Sequence, residues 1–165
     1  LRVFLARADA SLPVGEAVAR VIAREVEAGC TDPARLAEFG ARVEATKRAL
    51  LRFLVDARDG GARIVGYGAP GKGNTLLNYC GIRTDFLDYI VDRNPYKHGR
   101  FTPGTHIPIH PVERIDSTRP VYLLILPWNL TKEIMQQMRH VGAWGCRFVV
   151  AIPELAVVEA VDLAA

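Results

Sequence analysis

A β-prone run at residues 63–67 leads straight into the turn Gly66-Tyr67-Gly68-Ala69-Pro70-Gly71-Lys72-Gly73-Asn74-Thr75, and residues 74–80 then read as a helix. A strand that reverses into a helix over so few residues needs glycine where the backbone bends sharply or a neighbour comes close. Further apolar runs at 86–91, 121–126 and 147–152 alternate with helical stretches such as 131–141. Strands and helices in alternation imply a parallel sheet with right-handed crossovers. Residues 121–126 are apolar without a break, the pattern of a strand covered on both faces. The expected fold is α/β: a Rossmann-like three-layer fold with a mostly parallel sheet, preceded by two packing helices.

Those two helices are legible from periodicity. Val14, Val18, Val21, Ile22 and Val26 fall on one helical face within residues 14–27, and Gly29 stops the pattern. Asp32-Pro33 has the form of an N-cap followed by proline at the first helical position. An apolar stripe then runs through Leu36, Phe39, Val43, Leu50 and Leu54, with arginines and glutamates opposite, until Gly60-Gly61. Residues 1–6, LRVFLA, read as a strand already under way, so the chain is expected to be a piece of a longer protein. The expected organisation is 1–60 as the end of an upstream domain plus linking helices, 61–154 as the Rossmann-like domain, and 155–165 as a tail, helical or disordered. Residues 93–111 are rich in proline and read as loop with short extended pieces, such as 106–109.

Composition narrows the functional classes. Of 165 residues, 50% are hydrophobic and 24% charged, enough apolar material for a core and too little charge for a disordered chain. No apolar run approaches the roughly 20 residues of a membrane helix. The net charge of +3 is spread through the chain with no basic stripe, so no nucleic-acid partner is expected. Cys30, Cys80 and Cys146 form no CxxC pair, which fits a reduced, cytoplasmic setting.

The glycine-rich turn satisfies two motifs at once. Gly66, Gly68 and Gly71 match G-x-G-x-x-G, and Asp92 stands 21 residues beyond Gly71 at a strand end, where an acid would accept from a ribose hydroxyl. Gly66 to Gly73 also approaches a P-loop, but Gly73 replaces the serine or threonine that would hold magnesium, which argues against nucleotide hydrolysis. Glycines here let backbone approach phosphate, and the following helix start directs unpaired N–H groups at negative charge. A tight turn alone would use the same glycines. Lys72, Asn74 and Thr75 add donors suited to an anion, and an anion- or nucleotide-binding role is the favoured reading.

Ligands of doubly wound sheets sit beyond the carboxyl ends of the strands. After the second strand comes Asp92-Arg93-Asn94-Pro95-Tyr96-Lys97-His98-Gly99, and after the buried strand Pro127-Trp128-Asn129. Arg93 and Lys97 are either diphosphate-neutralising groups or solvated loop cations. Trp128 either stacks on a base or sugar or covers the sheet edge. His98 is better placed than the other histidines. His106 and His110 have helical metal-ligand spacing, but Pro108 between them removes the helix, so no metal site is expected. No nucleophile–base pair is legible, and Cys80 and Cys146 read as buried thiols.

Three blocks, GYGAPGKGNTLLNYCGI, VDRNPYKHGRFTPGTHIPI and LILPWNL, resemble the C-terminal domain of the S-adenosylmethionine-dependent sugar C-methyltransferases, enzymes that methylate nucleotide-linked deoxy-keto sugars. The resemblance extends over nearly the whole chain. It implies a zinc-binding N-terminal domain, a central methyl-donor domain and this C-terminal domain, which helps to bind the nucleotide-sugar. It also implies that the catalytic base, the zinc ligands and the S-adenosylmethionine site lie upstream, leaving no catalytic residue, metal or cofactor in this chain, which alone would be inactive. The expected partner is a thymidine-diphosphate sugar held by Gly68, Ala69, Pro70, Gly71, Lys72, Gly73, Asn74 and Thr75. Asp92, Asn94, Lys97 and His98 would border the groove, with Trp128 and Asn129 across the edge. Two other readings remain at this point: an NAD(P)-binding fragment of an oxidoreductase, supported by the fingerprint and Asp92, and a docking module whose glycine turn is structural.

Overall fold

The computed structural model describes residues 2–160. The chain divides into two compact units, Leu1–Arg42 and Val43–Ala165.

In the first unit, α1 (Glu16–Glu27) buries no side chain; Val18, Ile22 and Val26 are about half exposed. Its polar face carries the i,i+4 pair Glu16–Arg20. Asp32 caps the start of α2 (Pro33–Asp59), its Oδ1 accepting from the Ala34 amide at 2.9 Å. Residues 2–6, expected as a strand, form none. The short apolar run there pairs with no strand among the described residues, and a strand exists only through its ladder. Leu1 lies outside the described residues.

The second unit takes in the rest of α2, which presents Leu50, Leu54 and Ala57 to the core. The helix ends where Gly61 turns to φ +73° and the Ala62 amide bonds back to the Ala57 carbonyl at 2.9 Å. Six strands follow: β1 (Ile64–Tyr67), β2 (Ile90–Val91), β3 (Ile109–His110), β4 (Tyr122–Ile125), β5 (Arg147–Val150) and β6 (Ala156–Glu159). Their order across the sheet is β3-β2-β1-β4-β5-β6; β1 to β5 are parallel and β6 is antiparallel to β5. The Rossmann-like order is therefore present, and its direction of growth reverses between β1 and β4. Gly66 faces Ile90 on one side and Leu124 on the other, which fixes the register at that reversal.

Alternation along β1 splits the core into two layers. Ile64 joins Leu124, Val149 and the helical residues Leu50, Leu54 and Leu77 on one face. Val65 and Tyr67 join Ile125, Phe148, Ile134 and Met138 on the other. Because helices cover both faces, every residue of β1 is buried. The layers are supplied by α2 with α3 (Gly71–Cys80), and by α4 (Arg114–Thr118) with α5 (Thr131–Gln137).

Several expected boundaries shift. The second strand is only Ile90–Val91, because residues 86–87 turn back on the Arg83 carbonyl before pairing with β1 begins at Asp88. The helix expected over 131–141 ends at Gln137 and gives way to a 3-10 turn at Arg139–Trp144. Residues 155–160, expected in a helical or disordered tail, instead contribute β6, whose Val158 packs on the second core layer; residues 161–165 lie outside the described set. No described helix is long and apolar enough to cross a membrane.

Candidate functional site

β1 and β4 both end at the sheet edge where strand order reverses, the place where open α/β sheets form a crevice. The glycine-rich turn leaves β1 there. Gly68 has φ +80°, and a Cβ on it would lie 2.8 Å from the Pro127 ring. A Cβ on Gly73 would lie 2.8 Å from Leu126 Cβ, and one on Gly66 2.7 Å from Ile90 Cγ1. Close neighbours, Ile90 on β2 and Leu126 and Pro127 at the β4 exit, therefore account for three of the four glycines. Gly71 is different: its φ is not positive, and a Cβ there would meet nothing within 4 Å.

Not every amide of the turn is bare. The Gly68 N–H donates to the Val91 carbonyl at 2.7 Å, Ala69 to Asp92 Oδ2 at 2.7 Å and Asn74 to the Pro70 carbonyl at 3.0 Å; Pro70 has none. The N–H groups of Gly71, Lys72 and Gly73 open α3 without a partner inside the helix. The expected cradle over 68–75 contracts to these three amides. The Thr75 hydroxyl is also committed, bonding back to the Gly71 carbonyl at 3.1 Å.

Asp92, at the end of β2, is turned inward rather than offered to a ligand. Oδ2 accepts from Ala69 N–H and, at 2.9 Å, from Lys97 Nζ; Oδ1 accepts from Asn94 N–H at 2.8 Å. Burial works to raise its pKa, but the bonds from Lys97, Asn94 and Ala69 together hold the carboxyl below its ordinary range. Lys97 also donates to the Ala69 carbonyl at 3.0 Å, and the His98 ring Nε2 donates to the Asp92 carbonyl at 2.7 Å. Asn94 caps the 3-10 turn Pro95–Lys97 by accepting from Tyr96 N–H. Lys97, His98 and Asn94 thus gather at the edge, where their bonds make them struts of the loop.

Across the edge, Lys72 Nζ lies 4.7 Å from the centroid of the Trp128 ring and donates to Asn129 Oδ1. Lys72, Trp128 and Asn129 form one cluster joining α3 to the β4 exit. Trp128 packs against both core layers, so edge-covering is one of its roles.

Open space flanks these groups. A cleft of about 450 Å³ is bordered by Tyr67, Asp92, Arg93, His98 and Gln137. A neighbouring one of about 210 Å³ reaches Gly68, Pro70, Pro127 and Glu133. Arg93 donates to Gln137 at 3.3 Å across it. Burial is the main reason the Tyr67 hydroxyl is pushed above its ordinary pKa; Arg93 opposes this, while Asp92 and Glu133 add to it. Tyr67, Glu133 and Gln137 were not among the expected site residues. For Tyr67 a signal existed, since alternation from Gly66 places it on the opposite face at the strand end. Among the described residues no three His, Cys, Asp or Glu side chains gather to hold a metal ion.

A family model for the C-methyltransferase C-terminal domain matches residues 1–153. The chain belongs to this family. C-methyltransferase NovU of Streptomyces niveus is 37% identical to it over 161 residues, 96% of this chain and 38% of that protein. The chain thus spans well under half the length of that relative. Among solved structures, UDP-D-quinovosamine 4-dehydrogenase from Vibrio fischeri aligns with TM-score 0.43 and 19% identity, covering 63% of this chain and 98% of the other. Family membership does not favour the oxidoreductase reading, and the acid of the dinucleotide fingerprint is bonded to its own turn.

Proposed function

We propose that this chain is the part of an S-adenosylmethionine-dependent sugar C-methyltransferase that holds the diphosphate of its nucleotide-sugar substrate. The observation behind this is Gly71. Glycine in a helix costs roughly 0.5–1 kcal/mol relative to alanine, and here neither backbone angle nor packing asks for it. A residue without a side chain at the start of a helix, where the first N–H groups have no partner inside the helix, suits close approach of a phosphate. Lys72 stands in the same first turn as a neutralising cation.

The residues of this chain would bind and orient. The Gly71–Gly73 N–H groups would donate to the diphosphate oxygens, Asp92 and Lys97 keep the turn in shape, and the Tyr67–Arg93–Gln137 cleft borders the sugar end. Neither zinc nor the methyl donor is assigned to this chain. No described cluster suits zinc, and Asp92, which would take a donor ribose, is engaged elsewhere. S-adenosylmethionine, held by another part of the full protein, would supply an electrophilic methyl group.

Calorimetric titration of the full-length protein with thymidine diphosphate tests the reading, with Gly71→Val beside the wild type. Binding that Gly71→Val abolishes while the protein stays folded is the expected result. Equal binding by both proteins overturns it.

A further inference from the structure

The fold leaves the Tyr67 hydroxyl without a partner. Tyr67 is only 4% exposed, yet among the described residues its oxygen makes no hydrogen bond. Tyr89 is buried to the same degree and shares a hydrogen bond with Thr118. Nor is the Tyr67 oxygen sealed in the core, because Asn74 Oδ1 is the one described side-chain polar atom both fully buried and unpartnered. The hydroxyl therefore opens on the space that Tyr67 lines. That space is the cleft of about 450 Å³ and its smaller neighbour, which share Tyr67, Asp92, Arg93 and Gln137. A polar group so placed bonds to whatever fills the cleft.

Mixed donors and acceptors surround it. Gln137 of α5 spans the opening, its Oε1 accepting from Arg93 at 3.3 Å and its Nε2 donating to Glu133 Oε1 at 2.8 Å. The second oxygen of Glu133 and the exposed Glu113 carboxylate have no hydrogen bond among the described residues. The Arg93 guanidinium makes no ion pair there either. Val112 and the buried Met138 supply the apolar part of the lining.

We propose that this cleft binds a sugar ring, whose hydroxyl groups meet the Tyr67 hydroxyl and the Arg93–Gln137–Glu133 chain. Each sugar hydroxyl both donates and accepts, so its site needs partners of both kinds. A phosphate would need donors alone, and here it would face Asp92, Glu113 and Glu133 while Lys97 is committed to Asp92. Burial raises the pKa of Tyr67 and so keeps its hydroxyl a donor at neutral pH. Val112 and Met138 suit the C–H face of a ring, and about 450 Å³ falls within the usual range of roughly 300–1,000 Å³ for ligand pockets. The smaller cleft runs on to Gly68 and Pro70, beside the start of α3, so a ring joined to a diphosphate there would reach Tyr67. In that form the inference rests on the nucleotide-sugar reading above; a free sugar would use the same groups.

Tyr67→Phe is the direct test. It removes one oxygen that bonds to nothing in the protein, so the unfolding midpoint should stay at the wild-type value. Calorimetry on the full-length protein would compare thymidine diphosphate with thymidine diphosphate glucose, and ligand-observed NMR would follow free glucose. For a ring carried by the nucleotide, the wild type should bind the glucose-linked ligand about tenfold more tightly than thymidine diphosphate. Tyr67→Phe should cut that gain to about threefold or less and leave thymidine diphosphate within about twofold. For a free ring, glucose should bind the wild type and lose its signal in Tyr67→Phe. A sugar-dependent gain that Tyr67→Phe leaves intact, or no response to sugar in either form, overturns the cleft and spares the diphosphate site. A lowered midpoint overturns it as well, since the hydroxyl would then serve the fold. Absence of thymidine diphosphate binding overturns the diphosphate site, and free glucose then decides the cleft alone.

Discussion

The carboxylate of Asp92 accepts the main-chain N–H of Ala69 at 2.7 Å, so the end of β2 is bonded to the turn that leaves β1. Lys97 closes the same link from the other side, reaching both the carboxylate and the Ala69 carbonyl. Shape in the turn is thus imposed by a buried charge rather than by glycine alone. Replacing that charge with Asp92→Asn leaves the Lys97 ammonium half-buried without its counter-ion and should destabilise the second unit by about 2 kcal/mol at neutral pH. The pH dependence has a definite sign. A carboxyl held below its ordinary pKa in the folded state adds stability that is present above that ordinary value and lost as pH falls through the folded one. Urea titrations at pH 7 and pH 3 should show a smaller acid loss in Asp92→Asn than in wild type. Parallel losses in the two proteins would contradict this.

Gly71 and Gly73 sit two residues apart in α3 and should respond to alanine with opposite signs. At Gly73 the new methyl group falls 2.8 Å from Leu126 Cβ, inside contact distance, and overpacking of this kind costs about 1–3 kcal/mol. At Gly71 it enters open space in a helical conformation, and the gain is about 0.5–1 kcal/mol. Gly71→Ala should therefore raise the unfolding midpoint while weakening thymidine diphosphate binding. A protein more stable and still fully competent to bind would remove the reason for placing phosphate there.

How much of this was legible in the chain depends on which residue is asked. Unbroken apolar runs located β4 and β5, and the glycine turn located the β1 exit, because burial on both faces and a tight reversal leave marks in a single short segment. β6 left no such mark: Ala156 and Glu159 have low strand propensity, and its existence depends on pairing with β5 rather than on its own pattern. Asp92 illustrates the same limit at the site. Its position after a strand was readable, but an acid that meets a ribose and an acid that folds back on its own turn occupy the same place in the sequence.

Thiol chemistry gives an independent check on the core. Burial pushes the Cys146 thiol up to about 12, with Arg147 opposing weakly, and burial likewise raises Cys80 against the pull of Lys47. The thiolate is the reactive form, so both should resist alkylation in the folded protein. Cys30 is exposed in the first unit. Brief treatment with iodoacetamide at pH 8 followed by mass spectrometry should find Cys30 modified and the other two protected until denaturant is added. Equal labelling of Cys146 under native conditions would contradict the packing of β5 described here.

Lys72 offers the last test, because it belongs both to the turn and to the β4 exit. Its ammonium is placed by the Trp128 ring face and by Asn129, so it stands in the first turn of α3 at little further entropic cost. Lys72→Met keeps most of the aliphatic stem over the ring and removes the charge. Stability should change by no more than about 1 kcal/mol, since an exposed or half-buried cation over an aromatic ring contributes about that much. Affinity for inorganic pyrophosphate should fall about tenfold at low salt, and the gap between variant and wild type should narrow as salt rises, because mobile ions screen the lost attraction. Asn129→Ala should produce a smaller loss, since the ring still holds the ammonium in place. An affinity for pyrophosphate that ignores both substitutions would mean that the Lys72–Trp128–Asn129 cluster only fastens the helix to the sheet.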